Sequence, residues 1–260
     1  MISSLYDKFK PWSATGSVYI ISDTHFDDPD CKLMDPDWVT PQEHIDIIKK
    51  SVHKNDTLIC LGDVGQKSYF SELKCYKVLI TGNHDGSPSS YKRIIKEEIY
   101  DADKFSSKEL RNKLLKENPF CTVDLYESFE FNAPFHRWIA KIDNHLFDEI
   151  YNGPLFIADR ILLSHEPIMG MEKFAWNIHG HDHANTYREA HTNLASNVYG
   201  YKVFNLGNAI KEGLLSNTSN YHRIIIDNAT AKKSARENTT KVATVFEAYN
   251  MLNPVTFPLD

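Results

Sequence analysis

The chain has 260 residues, with 29 Lys and Arg against 35 Asp and Glu, for a formal net charge of −6. That balance excludes stable duplex nucleic-acid binding as a first expectation, because such binding rests on clustered cations that neutralise phosphates. Hydrophobic residues at 42% supply a packed core, and no run approaches the ~18 apolar residues that a membrane span needs.

The predicted elements follow in chain order. Met1 to Trp12 is polar and has no apolar signal-peptide core, so cytoplasmic residence is the expectation. Val18 to Ile21 reads as a buried strand that runs into Ser22-Asp23. Pro41 to Val52 reads as a helix, with apolar residues at 45, 48 and 52, Thr40 as N-cap and Pro41 at the first position. Thr57 to Leu61 and Val78 to Ile80 are two more buried strands, closed by Gly62-Asp63 and Thr81-Gly82. Ser87-Pro88 opens a second helical stretch through Tyr91, Ile94, Ile95 and Ile99. Ser107 to Lys116 carries Leu110, Leu114 and Leu115 at helix spacing. The interval 86–160, with Phe129, Phe131, Phe135, Trp138 and Phe147, reads either as helices covering a sheet or as a helical cap that shapes a pocket. Ile161 to Leu163 is a strand ending at Ser164-His165. Lys202 to Leu206 and His222 to Asp227 read as strands, Lys232 to Thr240 as a loop or hairpin tip, and 242–251 as a last helix. No internal repeat is visible, and 1–260 reads as a single domain.

Four cysteines, Cys31, Cys60, Cys75 and Cys121, are scattered without a CxxC pair, which fits reduced thiols better than a disulfide framework. Cys60 lies in an apolar run and reads as a small buried hydrophobe.

Chemistry is concentrated in five motifs: Asp23-Thr24-His25, Gly62-Asp63, Gly82-Asn83-His84-Asp85, His165 and Gly180-His181-Asp182-His183. Most sit at the C-terminal ends of predicted strands, where α/β proteins bind ligands. Alternate strand residues share a face, so Asp23 and His25 can chelate one ion, and so can His181 and His183 with Asp182 turned away. The two oxygens of Asp63 can bridge two ions. Mixed nitrogen and oxygen donors suit Mn, Fe, Zn, Ni or Co better than Ca. Two metals about 3.5–4 Å apart acidify a shared water and neutralise an attacked phosphate, after which the departing alkoxide needs a proton.

This ordered set, over residues 23–183, resembles the calcineurin-like metallophosphoesterase superfamily. The resemblance implies an α/β fold, a four-layer αββα sandwich of two mixed β-sheets with a dimetal site at the sheet edge. It implies one metal on Asp23, His25, Asp63 and His183, and another on Asp63, Asn83, His165 and His181. It implies that His84 contacts the phosphate and protonates the leaving oxygen, and that Asp85 orients His84. Two divalent ions are expected, with Mn first and Fe, Zn, Ni, Co or Mg as alternatives. Motif two continues as Val64-Gly65 and lacks the further acidic or arginine residue of some branches, which removes that source of phosphate contact.

The other histidines, His44, His53, His136, His145, His179, His191 and His222, read as surface or packing residues. His179 is two before His181, so spacing leaves it open as a ligand; the family pattern favours His181 and His183 and puts His179 behind them. Asp27, Asp28 and Asp30 read as a solvated loop. Lys67, Arg160 and Arg188 could grip a phosphate, with surface placement the first expectation.

The functional expectation is a phosphodiesterase of small or nucleotide-like substrates that uses a metal-bridging hydroxide. Phosphomonoesters or phosphoproteins as substrates, and a non-catalytic interaction scaffold, are the alternatives. Scaffolds tend to lose ligands or the third-motif histidine, whereas here His84 and every presumed ligand are present. A structural zinc domain fails on ligand type, since no cysteine lies in the motifs.

Overall fold

In a computed structural model, the residues described are 16–119, 121–129, 136–158, 160–185 and 190–213. Arg188, Phe131, Phe135, the expected strand His222 to Asp227, the loop Lys232 to Thr240 and the helix at 242–251 lie outside them.

The apolar runs form the centre of a five-stranded sheet. β1 (Val18–Ile21), β2 (Thr57–Cys60) and β3 (Tyr76–Ile80) pair in parallel. β7 (Glu149–Tyr151) extends the sheet in parallel beside β3, and β12 (Phe204–Asn205) lies antiparallel beside β1. A four-stranded sheet has the order β11 (His191–Asn193), β10 (Trp176–His179), β9 (Ile161–Leu163), β8 (Leu155–Ala158), antiparallel only between β8 and β9.

Strand alternation divides the apolar residues between two cores. Ile20, Ile59, Leu61, Val78 and Ile80 pack with Ile157, Ile161, Leu163 and Ile178, so the two sheets share one core. Ile21, Leu58, Cys60 and Leu79 point the other way, onto Ile45, Ile48, Phe70 and Phe147. Strands buried on both faces read as continuous apolar runs, which is why they were legible. Each such Ile or Leu contributes roughly 1.5–3 kcal/mol by leaving water. The helix carrying Ile45 and Ile48 spans Pro41–Ser51, preceded by the short α1 (Cys31–Met34), and is α2. Its start is a capping box: the Glu43 amide donates to Thr40 Oγ1 (3.3 Å) and the Thr40 amide to Glu43 Oε2 (2.8 Å).

The interval 86–160 departs from the helical expectation. After a 3₁₀ turn at Pro88–Tyr91, Ile95–Asp101 is a strand, β4, in an antiparallel sheet with β5 (Thr122–Phe129) and β6 (His136–Asp143), in the order β4-β6-β5. Ile94, Ile95 and Ile99 fit either period, and continuous pairing of β4 with β6 from Ile95↔Asp143 to Asp101↔Arg137 decides the matter. The one helix of 107–117, α3 (Ser107–Glu117), lays Leu110 and Leu114 on Val123, Ala140 and Ile142. Phe147 instead belongs to the main core. The strand expected at Lys202 to Leu206 shortens to Phe204–Asn205, because Asn205 caps α4 (Leu206–Lys211) by accepting from the Asn208 amide (2.9 Å).

All four cysteines are free thiols, and Cys60 is fully buried, with its thiol pushed up by burial.

His44 of α2 is 1% exposed, between the rings of Phe26 and Tyr201, and burial drives its pKa down to about 4. The unfolded chain therefore takes up a proton that the folded chain refuses. Stability is fully present above about pH 6.5 and is lost as pH falls toward 4. At about 1.4 kcal/mol per pKa unit, the loss is at most about 3 kcal/mol. Urea unfolding of the protein and of His44→Leu at pH 7 and pH 5 checks this. The wild-type midpoint should fall more between the two, and equal falls would refute the assignment.

Candidate metal centre

The first and second motifs are zipped together by backbone. The Asp23 amide donates to Gly62 O (3.0 Å), His25 to Asp63 O (2.9 Å) and Phe26 to Val64 O (3.1 Å). The fourth and fifth are joined by Gly180 N to His165 O (2.9 Å), and the His181 amide reaches both oxygens of Asp23 at 3.0 Å.

These residues lie beyond the strands, not on them. β1 ends at Ile21 and β10 at His179, so shared strand faces do not explain the pairs Asp23/His25 and His181/His183. Asp23 (φ 52°), His25 (40°), Asp63 (50°) and His181 (67°) all adopt left-handed backbone. Such a conformation costs about 1–3 kcal/mol for a residue with a side chain and persists where the surroundings impose it. Here it turns the donors inward. Gly180 permits the close approach: a Cβ there would meet Asp23 Oδ2 at 1.9 Å and Ser22 Oγ at 2.0 Å.

Two donor groups result, Asp23/His25/His183 and Asp63/His165/His181, each with ligand atoms within 4.8 Å of one another. Asp63 stands between them: Oδ2 is 3.7 Å from His25 Nε2 and 3.2 Å from His165 Nε2. Asn83 Oδ1 joins the second group, 2.8 Å from His165 Nε2 and 3.0 Å from His181 Nδ1.

The far sides of three rings fix which nitrogen faces inward. His165 Nδ1 donates to Leu61 O (2.8 Å), His25 Nδ1 to Asp28 Oδ2 (3.1 Å) and His183 Nδ1 to Asn197 Oδ1 (2.8 Å). Asn197 Nδ2 donates to His183 O (2.9 Å), so its Oδ1 is the acceptor. With the proton on Nδ1, each Nε2 presents a lone pair to the carboxylates. His25 Nε2 is buried without a hydrogen-bond partner among the described residues. In the neutral rings these lone pairs face carboxylate and amide oxygens, a donor set that a cation satisfies; without a cation, a proton on His165 Nε2 bonds Asp63 instead.

Electrostatics agree. Burial pushes the Asp23 carboxyl above its ordinary range, against the pull of His165, Ser22, His181 and His183. Burial also acts on Asp63, but the hydrogen bond and charge of His165, with the His84 amide and His25, outweigh it and hold that carboxyl below its usual value. Burial pulls His165 down, and Asp63 and Asp23 more than offset it, leaving the imidazole raised.

A model of the calcineurin-like phosphoesterase family matches residues 16–195, more than half of the chain, and the match includes every motif. The chain belongs to the calcineurin-like phosphoesterase family. Members typically hold two divalent cations and hydrolyse phosphate esters. A search of curated proteins finds no match. Among solved structures, the protein of unknown function AQ665 from Aquifex aeolicus is similar, at 22% identity over 76% of this chain and 99% of that one, with a TM-score of 0.47.

In this member of the family the third motif sets two side chains beside the centre. His84 is exposed, its ring edge-on to His25 at a centroid distance of 5.5 Å, and its amide donates to Asp63 Oδ1 (2.8 Å). Asp85 has backbone partners that the sequence does not signal. Its carboxylate accepts from the amides of Gly82 (2.8 Å), Asp63 (3.0 Å) and Val64 (3.1 Å), and among the described residues no hydrogen bond joins it to His84. Those amides have left the sheet and need acceptors, so Asp85 ties the second motif to the third.

Asp28, read as solvated, backs His25; its only sequence signal is its place three residues after that histidine. Asn197, 14 residues beyond His183, carries no signal at all. Among the described residues, His44, His53, His136, His145, His179 and His191 belong to neither donor group. His179 is buried with its ring against His191 and its Nδ1 on Gly180 O (2.9 Å). Lys67 lies over the Tyr91 ring at 5.1 Å, and Arg160 is half-buried in the turn before β9. No described helix is long and apolar enough to cross a membrane.

Proposed function

We propose that this protein is a dimetal-dependent phosphodiesterase of small or nucleotide-like substrates, built on the αββα layering of its family and working in the cytoplasm. One observation carries the reading: a single oxygen of Asp63 faces a histidine nitrogen of each donor group. Asp23, His25, Asp63 and His183 would hold one divalent cation, and Asp63, Asn83, His165 and His181 the other, with Mn the first choice for this nitrogen and oxygen set. When bound, such a pair supplies Lewis acidity that activates water and neutralises phosphate charge.

The chain's own groups do the rest. Asp28, Asn197 and the Leu61 carbonyl keep protons on the outward nitrogens of His25, His183 and His165. Asp85 holds the loops that carry Asp63 and Asn83 in register. His84, exposed beside the centre, gives a proton to the departing alkoxide. The acidic chain disfavours a stable complex with duplex nucleic acid.

The test is turnover of a bis(nitrophenyl) phosphodiester by Mn-loaded protein, before and after EDTA. Expected are turnover that EDTA abolishes and Mn restores, and a higher kcat/KM than for nitrophenyl phosphate. Turnover with all metal removed overturns the mechanism; preference for the monoester overturns the diester assignment.

A further inference from the structure

Trp38 is 5% exposed, yet it belongs to none of the three apolar clusters of the described residues. Its ring instead lies against two histidines of one donor group. The centroid is 6.0 Å from His25 (78° between planes) and 5.8 Å from His183 (50°), while those two rings are 5.3 Å apart. The three rings close a triangle that includes both histidines of the Asp23/His25/His183 group.

We infer that Trp38 is a positioning residue for the proposed metal centre: its indole sets the tilt of His25 and His183, so that both Nε2 atoms face the Asp23 and Asp63 carboxylates. The inference rests on the metal-centre reading above. Each histidine has one hydrogen-bonded anchor, Asp28 for His25 and Asn197 for His183. A ring held at one nitrogen can still rock about that bond, and the opposite nitrogen sweeps the widest arc. An edge-on aromatic neighbour blocks that motion without competing for the lone pair.

The indole is itself held. The Trp38 amide donates to Asp35 O (3.0 Å), and its carbonyl accepts from Lys32 Nζ (2.5 Å). Tyr201, a residue in left-handed backbone at φ 59°, donates its hydroxyl to Asp35 Oδ2 (2.8 Å) and sets its ring edge-on to Trp38 at 5.6 Å. Asp35 and Tyr201 thus pin the segment between α1 and α2 to the chain before β12. A large apolar ring pinned this firmly against two imidazoles, and in none of the three apolar clusters, serves the imidazoles.

Co(II) is the probe, added to the full chain and to Trp38→Phe, Trp38→Leu and, as a control in the three-stranded sheet, Trp138→Phe. The readouts are calorimetric affinity, the visible d–d absorption band and quenching of indole fluorescence. Trp38→Leu should weaken the tighter Co(II) step about 10–100-fold, the range for groups that orient metal ligands, and alter the band. Trp38→Phe, which keeps a ring, should recover most of the affinity. Co(II) should quench less fluorescence in Trp38→Phe than in the wild type or Trp138→Phe. Affinity and band unchanged in Trp38→Leu overturn the inference while leaving the metal centre standing. If that variant does not fold, equal quenching in Trp38→Phe and the wild type overturns it. A wild type that takes up no Co(II) overturns the metal-centre reading itself.

Discussion

His84→Ala is expected to keep its bound cations and to lose about 10²–10⁴ in kcat on an alkyl phosphodiester, the usual contribution of a positioned general acid. On a nitrophenyl ester the loss should be less than about tenfold, because nitrophenolate departs without a proton. The contrast follows from where the ring stands. It is exposed and edge-on to His25, and it belongs to neither donor group, so its removal leaves the ligand shell whole. Its amide, which an alanine keeps, continues to donate to Asp63 Oδ1 (2.8 Å). Metal content and both rate constants, measured on one preparation, decide the matter. Equal losses on the two esters would sink the proton-donor role, and lost metal would make the histidine a ligand.

Asp63→Ala should be the more damaging change. Its Oδ2 faces His25 and His165, and its Oδ1 accepts from the third motif, so one side chain serves both donor groups and the loop beside them. Its loss should lower bound Mn from two equivalents to one or none. It should also remove several kcal/mol of charge stabilisation, about 10³-fold or more in kcat/KM. Elemental analysis of protein desalted after Mn loading, read beside the rate, checks both. Two tightly held equivalents in Asp63→Ala would show that no shared carboxylate is needed. His165 adds an internal control: Asp63 is the first of the groups that raise its pKa, so its titration should move down in the variant.

Much of this was legible in the sequence, for local reasons. β1, β2, β3 and β9 are runs largely buried on both faces, so they are mostly apolar and end where the chain turns polar. α2 carries its own start signal in Thr40, Pro41 and Glu43. β4 was not legible, since Ile94, Ile95 and Ile99 satisfy a helix as well as a strand until β6 lies alongside. The amides of Gly82, Asp63 and Val64 that Asp85 accepts from were not legible either, because two of them lie more than 20 residues away in the chain.

The chain by itself determined the donors: which aspartates, histidines and asparagine are present, their order, and their place just beyond apolar runs. It determined them because a strand end and a metal-binding side chain are local properties, written within a few residues. The tertiary structure alone decided how they face one another. Left-handed backbone at Asp23, His25, Asp63 and His181 is held by hydrogen bonds between loops distant in the chain. Asp28, Asn197 and Trp38 gain their parts only by lying beside the imidazoles. Such contacts depend on which surfaces meet when two sheets close on a common core, and no periodicity along the chain encodes that.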